Sequence, residues 1–201
     1  MKTKTILAGV AFVLAGAMAG IIAGGASGPA APIAVTDTVV DYRASQVVEG
    51  YTGFWRGAPG ALEEGIMVLF DPMCPHCGVL WDALKDEAIP QFWVPVAVLN
   101  HNRSSQLGAM LIETEAREGD VGAQMNRFKA AREADAGIDA PPSRGTLSLI
   151  NRNTKQFMDA KRTSVPVIIM KGKEGGYGIL NGSMAAEDFR KAFEEFHRGN
   201  R

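Results

Sequence analysis

The chain has 201 residues, of which 46% are hydrophobic and 21% are charged, and its formal net charge is −1. This is the balance of an ordinary globular protein, and the length allows one domain of common size plus a targeting segment. The near-neutral charge and the lack of a basic stripe exclude nucleic acid as an expected partner.

The N-terminus has the features of a secretory signal. Lys2 and Lys4 precede an apolar run that extends from Ile6 to about Ala23. Small residues after the run would allow cleavage near Ala26, whereas the length of the run would also suit a retained membrane anchor. Under both alternatives, residues 1–26 direct the rest of the chain out of the cytoplasm.

Residues 27–52 are predicted to form a linker and a short N-terminal segment, because the first part is rich in Gly, Ala, Pro and Ser. A short strand is predicted from Thr38 to Tyr42. The globular domain is predicted over residues 53–201 and begins with a turn-rich segment at residues 55–60. The continuous apolar run Ile66–Phe70 is typical of a buried central strand.

A helix is predicted directly after this strand, because Pro75 is tolerated in a first helical turn and Leu80, Trp81 and Leu84 form an apolar face. Further strands are predicted over residues 92–99, 165–170 and 177–181, and further helices over residues 104–118, 121–134, 147–161 and 185–197. The pattern indicates an α/β fold with a central mixed sheet, flanking helices and a helical insertion. Asp71 is predicted to end the strand in a turn rather than to relay a proton.

The chemistry of the chain is predicted at Cys74-Pro75-His76-Cys77, which contains its only two cysteines. Two thiols at this spacing on the first turn of a helix can close a disulfide and reopen it. Cys74 would lie at the N-cap, where free N–H groups and the helix dipole favour a thiolate, and His76 could add positive charge or a hydrogen bond. Cys77, more buried, would resolve the mixed disulfide that Cys74 forms.

Three other interpretations of the cysteine pair need to be weighed. A zinc site would require two further ligands, and only His76, His101, His197 or carboxylates could provide them. A copper carrier could use Met73 beside the two thiols. An inert local disulfide is disfavoured, because so short a loop stabilises little. Redox chemistry through the Cys74–Cys77 disulfide, with no metal and no other cofactor, is the preferred interpretation.

These residues resemble those of the periplasmic Dsb proteins of the thioredoxin superfamily. The segment Val68–Cys77 is most similar to the active-site strand of the DsbC/DsbG-type disulfide isomerases, and the resemblance covers about residues 53–198. It implies a thioredoxin-like fold, a periplasmic location, thiol–disulfide oxidoreductase activity on exported proteins, and a membrane redox partner that resets the motif. It also implies catalytic roles for Cys74, Pro75, His76 and Cys77.

The resemblance further implies that Val165–Pro166 is a cis peptide bond, although a proline before a strand is otherwise an ordinary edge feature. The cis loop would bring Thr163, Val165 and Pro166 beside Cys74 as a substrate-binding segment with open backbone groups. Pro75-His76 and the valine before the proline are more typical of DsbA oxidases, whereas Val68 agrees with the isomerases. The predicted activity is therefore isomerase- or reductase-like, with a DsbA-like oxidase as the alternative.

Overall fold

The structure is a computed structural model that describes residues 50–56, 62–118, 121–131, 141–173 and 175–199. The signal or anchor predicted over residues 1–26, the strand predicted at residues 38–42 and most of the linker lie outside the described residues. Among the helices that are described, none combines the length and the apolar character needed to span a membrane.

One mixed sheet of five strands lies at the centre of the described chain. Its strands are β1 (Phe54–Arg56), β2 (Ile66–Phe70), β3 (Gln91–Pro95), β4 (Val167–Lys171) and β5 (Tyr177–Asn181). They lie in the order β1-β3-β2-β4-β5. Strand β2 pairs parallel with β3 and antiparallel with β4, while β1 and β5 pair antiparallel with β3 and β4 respectively. All five residues of β2 are buried, as expected for a central strand that is covered on both faces.

Helices cover both faces of this sheet. The described helices are α1 (Pro75–Ala83), α2 (His101–Glu118), α3 (Val121–Ala131), α4 (Arg144–Asp159) and α5 (Ala186–Gly199). Helix α1 follows β2 directly, and α2, α3 and α4 stand between β3 and β4 as the predicted helical insertion. Helix α2 packs against both α3 and α4. The predicted α/β architecture, a mixed sheet flanked by helices, is confirmed.

The alternation of side chains along β2 divides the core into two layers. Val68 and Phe70 pack with residues of α1 and α5, including Trp81, on one face. Met67 and Leu69 pack with Phe157 of α4 on the other face. Because β2 is packed against apolar side chains on both faces, it provides a well-anchored support for the segment that follows it.

Two predictions in the first half of the domain are wrong: a strand was missed, and the end of another strand was misplaced. Phe54–Arg56 forms strand β1, paired with β3, where the sequence indicated only a turn-rich approach. Strand β3 ends at Pro95 and not at residue 99. Beyond Pro95, the N–H groups of Val98 and Leu99 donate to the Asp71 carboxylate and are thus withdrawn from sheet pairing.

Several other elements begin at different residues from those predicted. Strand β4 begins at Val167 rather than at residue 165, because Pro166 has no N–H for a sheet bond. Helix α4 begins at Arg144, where the Ser143 hydroxyl accepts a hydrogen bond from the Thr146 N–H and caps the helix. Helix α2 begins at His101, three residues before the predicted start.

Candidate active site

Cys74 lies at the N-terminus of α1. It is the N-cap residue, with an extended backbone, and Pro75 follows it in the first turn. A tight turn leads to this position, in which the Cys74 N–H donates to the Asp71 carbonyl at 2.9 Å. The strand, turn and proline together aim the Cys74 sulfur at the free N–H groups of the first helical turn.

The environment of Cys74 favours its thiolate. Both cysteines are free thiols in the structure. The hydrogen bond from the Cys77 thiol, then the N–H groups of Cys77 and His76 and the positive charge of His76, lower the pKa of Cys74 to about 6 against the opposing effect of burial. At pH 7 the thiolate of Cys74 is therefore favoured over the thiol.

Cys77 has the opposite character. It is 1% exposed, and burial together with the neighbouring Cys74 sulfur raises the pKa of Cys77 well above its ordinary value. The charge of Asp71 acts in the same direction. Both residues are buried, Cys74 at 5% and Cys77 at 1% exposure, so the two sulfurs differ in ionisation. The Cys74 sulfur favours the thiolate and the Cys77 sulfur the thiol, which is the division of roles that dithiol exchange requires.

The Val165–Pro166 loop lies against the motif. Its peptide bond is cis, the isomer that the resemblance implied. The Cys74 Sγ atom lies 3.6 Å from the Val165 carbonyl oxygen, to which it donates when it is protonated. Thr163, in contrast, is exposed and makes no hydrogen bond to either cysteine in the part of the chain that the structure describes. The structure therefore brings the Val165 carbonyl to the Cys74 sulfur, with Pro166 next to it in the chain, and no described hydrogen bond joins Thr163 to either sulfur.

The side chain of His76 points toward a residue that sequence reasoning missed. His76 and Pro75 are both exposed, and the His76 Nδ1 atom lies 3.3 Å from the Oγ atom of Ser183. Ser183 is buried and directly follows the strand β5 and Gly182. No local pattern could have predicted this contact, because the two residues are 107 positions apart.

The Asp71 carboxylate is fully buried below the motif and is saturated with hydrogen bonds. It accepts from the N–H groups of Met73, Val98 and Leu99 at 2.8 to 2.9 Å and from the Ser104 hydroxyl at 2.7 Å. These four donors compensate for the burial of a charge. The predicted turn role of Asp71 thus extends to fixing two loops at this end of the sheet.

The described residues contain no group of three or more His, Cys, Asp or Glu side chains that is arranged to hold a metal ion. His101 is exposed at the start of α2, and the ring of His197 lies 4.3 Å from that of Phe193 on α5. Neither histidine joins the two cysteines in such a group among these residues. Two neighbouring sulfurs at a helix N-terminus can form and break a disulfide.

Comparison with known proteins identifies the fold. No protein-family model and no curated protein matches the chain. A periplasmic thioredoxin-like protein from Salmonella enterica serovar Typhimurium is 13% identical, with 78% of this chain and 96% of that chain covered and a TM-score of 0.57. The catalytic domain of Proteus mirabilis ScsC is 13% identical, with 79% and 99% covered and a TM-score of 0.58.

A third solved structure, Salmonella enterica Typhimurium BcfH, is 11% identical, with 77% of each chain covered and a TM-score of 0.53. The three matches each cover 77% or more of this chain. They show that the chain has a thioredoxin-like fold, and the predicted fold class is confirmed.

Proposed function

We propose that this protein is a thiol–disulfide oxidoreductase that acts on exported proteins by dithiol–disulfide exchange through Cys74 and Cys77. The observation that carries the proposal is the unequal pair of sulfurs at the start of α1, with Cys74 ionised and Cys77 held as a buried thiol. The thioredoxin-like fold supports the proposal, as does the similarity to a protein described as periplasmic.

The exchange needs no group other than the two sulfurs. The Cys74 thiolate attacks one sulfur of a substrate disulfide, so that a Cys74–substrate bond forms, the substrate S–S bond breaks, and the released thiolate takes a proton from water. Cys77 then loses its proton to the solvent, which restores the water used in the first step, and its sulfur attacks the Cys74 sulfur. This closes the Cys74–Cys77 disulfide and releases the second substrate thiolate. The substrate gains two electrons and the motif loses two.

The same mixed disulfide has a second outcome. When a different substrate thiolate attacks the substrate sulfur that is bound to Cys74, a new substrate disulfide forms and the Cys74 thiolate is released. No net oxidation or reduction results, so this route is isomerisation. We propose that Val165, Pro166 and Thr163 contact the substrate segment during these steps, since the Val165 carbonyl lies beside the Cys74 sulfur and Pro166 follows it through a cis bond.

The proposed direction is isomerase- or reductase-like. The pKa of Cys74, lowered to about 6, is closer to that of thioredoxin, about 7, than to that of the strong oxidant DsbA, about 3.5. The Pro75-His76 dipeptide favours the alternative, a DsbA-like oxidase. Equilibration with glutathione distinguishes the two activities. An oxidase would have a reduction potential of about −120 mV, whereas a reductase or isomerase would have a reduction potential between about −180 and −270 mV.

The setting that we propose is the periplasm, reached through the N-terminal segment as a cleaved signal or an anchor. An exchange protein that turns over there requires a membrane redox partner to restore its dithiol or its disulfide. The partners are therefore exported proteins with thiols or disulfides and this resetting protein, with no cofactor beyond the Cys74–Cys77 pair.

Trapping of the intermediate tests the proposal. The full chain with Cys77→Ala is mixed with a scrambled disulfide protein, quenched with acid and separated on a non-reducing gel. We expect mixed disulfides that disappear on reduction, because Cys74 attacks and nothing within the protein resolves the product. The matched control, Cys74→Ser, should form none. Equal yields from the two variants, or none from either, would refute the proposal.

A further inference from the structure

Ser183 is a buried polar residue whose hydrogen bond links it to the motif. It is 6% exposed, and its hydroxyl has His76 Nδ1 as its partner at 3.3 Å. The side chain does not cap the following helix, because α5 begins at Ala186 and its first backbone bond joins the Phe189 N–H to the Ala185 carbonyl. The position of this hydroxyl is therefore explained by the imidazole that it faces.

The backbone around Ser183 is tied to the Pro166 loop. The Gly182 N–H donates to the Pro166 carbonyl at 2.8 Å, and the last residue of β5, Asn181, pairs with Val167. Gly182 has a φ of 87°, in the left-handed region that favours glycine, and this turn redirects the chain after β5. The Ser183 hydroxyl is thus fixed on the same framework as the carbonyl that contacts the Cys74 sulfur.

A hydroxyl suits this task because it both donates and accepts. It donates to Nδ1 when the imidazole is neutral with its proton on Nε2, and it accepts from Nδ1–H when the imidazole is protonated. The His76 side chain is otherwise exposed, so that without this contact it could turn away from the helix N-terminus.

We propose that Ser183 is a positioning residue for the exchange reaction, which holds the His76 imidazole at the N-terminus of α1 beside Cys74 in both of its protonation states. The inference deepens the proposed function and rests on it for its catalytic meaning. An imidazolium held there stabilises the Cys74 thiolate, and hence the dithiol form, by its charge.

The proposal is tested by the pH dependence of Cys74 alkylation with iodoacetamide in the full, reduced chain. We expect Ser183→Ala to move the midpoint to higher pH and to shift the glutathione equilibrium about twofold toward the disulfide, which corresponds to a potential about 9 mV more negative. Ser148→Ala is the matched control: it removes an exposed hydroxyl that donates to the Arg144 carbonyl of its own helix, and it should change neither quantity.

A double-mutant cycle separates positioning from a merely structural role. When His76→Ala is already present, Ser183→Ala should cause no further shift of the midpoint. An equal shift in both backgrounds, or no shift in either, would overturn the proposal. If Ser183→Ala does not fold, the proposal is tested on the unaltered protein by NMR. The proposal requires nuclear Overhauser contacts between the His76 ring protons and the Ser183 Hβ protons, and their absence would contradict it.

The failure of this inference can be distinguished from the failure of the proposed function, because alkylation involves no protein substrate. A Ser183-dependent midpoint without any trapped mixed disulfide would refute the exchange activity and retain the positioning role. Mixed disulfides with a midpoint that is insensitive to Ser183 would retain the activity and refute the positioning role.

Discussion

The Sγ atom of Cys74 lies 3.6 Å from the carbonyl oxygen of Val165, although the two residues are 91 positions apart. Their contact follows from the antiparallel pairing of β2 and β4, in which Leu69 lies opposite Val167. The chain leaves β2 toward Cys74 and enters β4 from Val165 at the same end of the sheet. The candidate site is therefore fixed by the pairing of two strands with nine of their ten residues buried.

The ionisation of Cys74 gives the first prediction. Because only the thiolate reacts and the pKa of Cys74 is lowered to about 6, the alkylation rate should be half-maximal near pH 6 and nearly constant above pH 7. Below the midpoint it should fall about tenfold per pH unit. The rate is measured by mass spectrometry under pseudo-first-order conditions. A midpoint near that of free cysteine, about 8.5, would contradict the prediction.

A second prediction ranks the causes of this ionisation. The hydrogen bond from the Cys77 thiol lowers the pKa of Cys74 most, and the charge of His76 is the weakest of the named causes. Cys77→Ala should therefore raise the pKa of Cys74 more than His76→Ala does. In Cys77→Ser, which retains a hydrogen-bond donor, the pKa of Cys74 should lie between its values in the unaltered protein and in Cys77→Ala. Thiolate absorbance near 240 nm, followed against pH, measures all three, and a larger effect of His76→Ala would reverse the ranking.

The sequence predicted the parts of this fold that carry their own pattern. Five consecutive apolar residues identify Ile66–Phe70 as a central strand, and the cysteine spacing before an apolar helix face identifies the motif. Strand β1 was missed because it has three residues and forms through pairing with β3, which leaves no periodic signal. The cis bond at Pro166 was inferred from the family resemblance and not from local residues.

Tertiary contacts account for the remaining differences between prediction and structure. The end of β3 was misplaced because Val98 and Leu99 have the composition of a strand, but their N–H groups are taken by Asp71. The partnership of His76 with Ser183 depends on the β4–β5 hairpin, which returns the chain to the motif. Such contacts cannot be read from one segment at a time.

The third prediction concerns the stability that Asp71 provides. Asp71→Ala should lower the free energy of unfolding by at least about 3 kcal/mol, because four hydrogen-bond donors lose a charged acceptor at a buried position. Urea denaturation of the reduced protein measures the change. The control Asp86→Ala alters an exposed side chain whose ion pair with Lys85 spans 4.0 Å, and it should change stability by no more than about 0.5 kcal/mol. Similar losses from the two variants would show that the Asp71 bonds do not stabilise the fold.

The fourth prediction compares two asparagines on the same helix, α4. Asn153 is fully buried and joins the chain before β1 to the end of β3. Its Oδ1 atom accepts a hydrogen bond from the Thr52 N–H at 3.0 Å. Its Nδ2 atom donates to the carbonyls of Thr52 and Pro95 at 2.7 and 3.1 Å. Asn153→Ala should cost about 2 to 3 kcal/mol, because these backbone groups lose their partner. Asn151 is exposed, and Asn151→Ala makes the same chemical change without breaking a buried bridge.

The comparison of the two variants cancels the effect of helix propensity, because replacing Asn by Ala changes that propensity by the same amount at both positions. The difference between the variants in urea denaturation therefore measures the bridge itself. Asn153→Asp adds a further test, because the carboxylate would keep the acceptor for the Thr52 N–H but would face two carbonyl oxygens. Repulsion raises the pKa of such a carboxyl, so this variant should regain stability as the pH falls through that pKa. Equal stability of Asn153→Ala and Asn151→Ala, or a stability of Asn153→Asp that does not change with pH, would show that the bridge contributes nothing to holding α4 against the sheet.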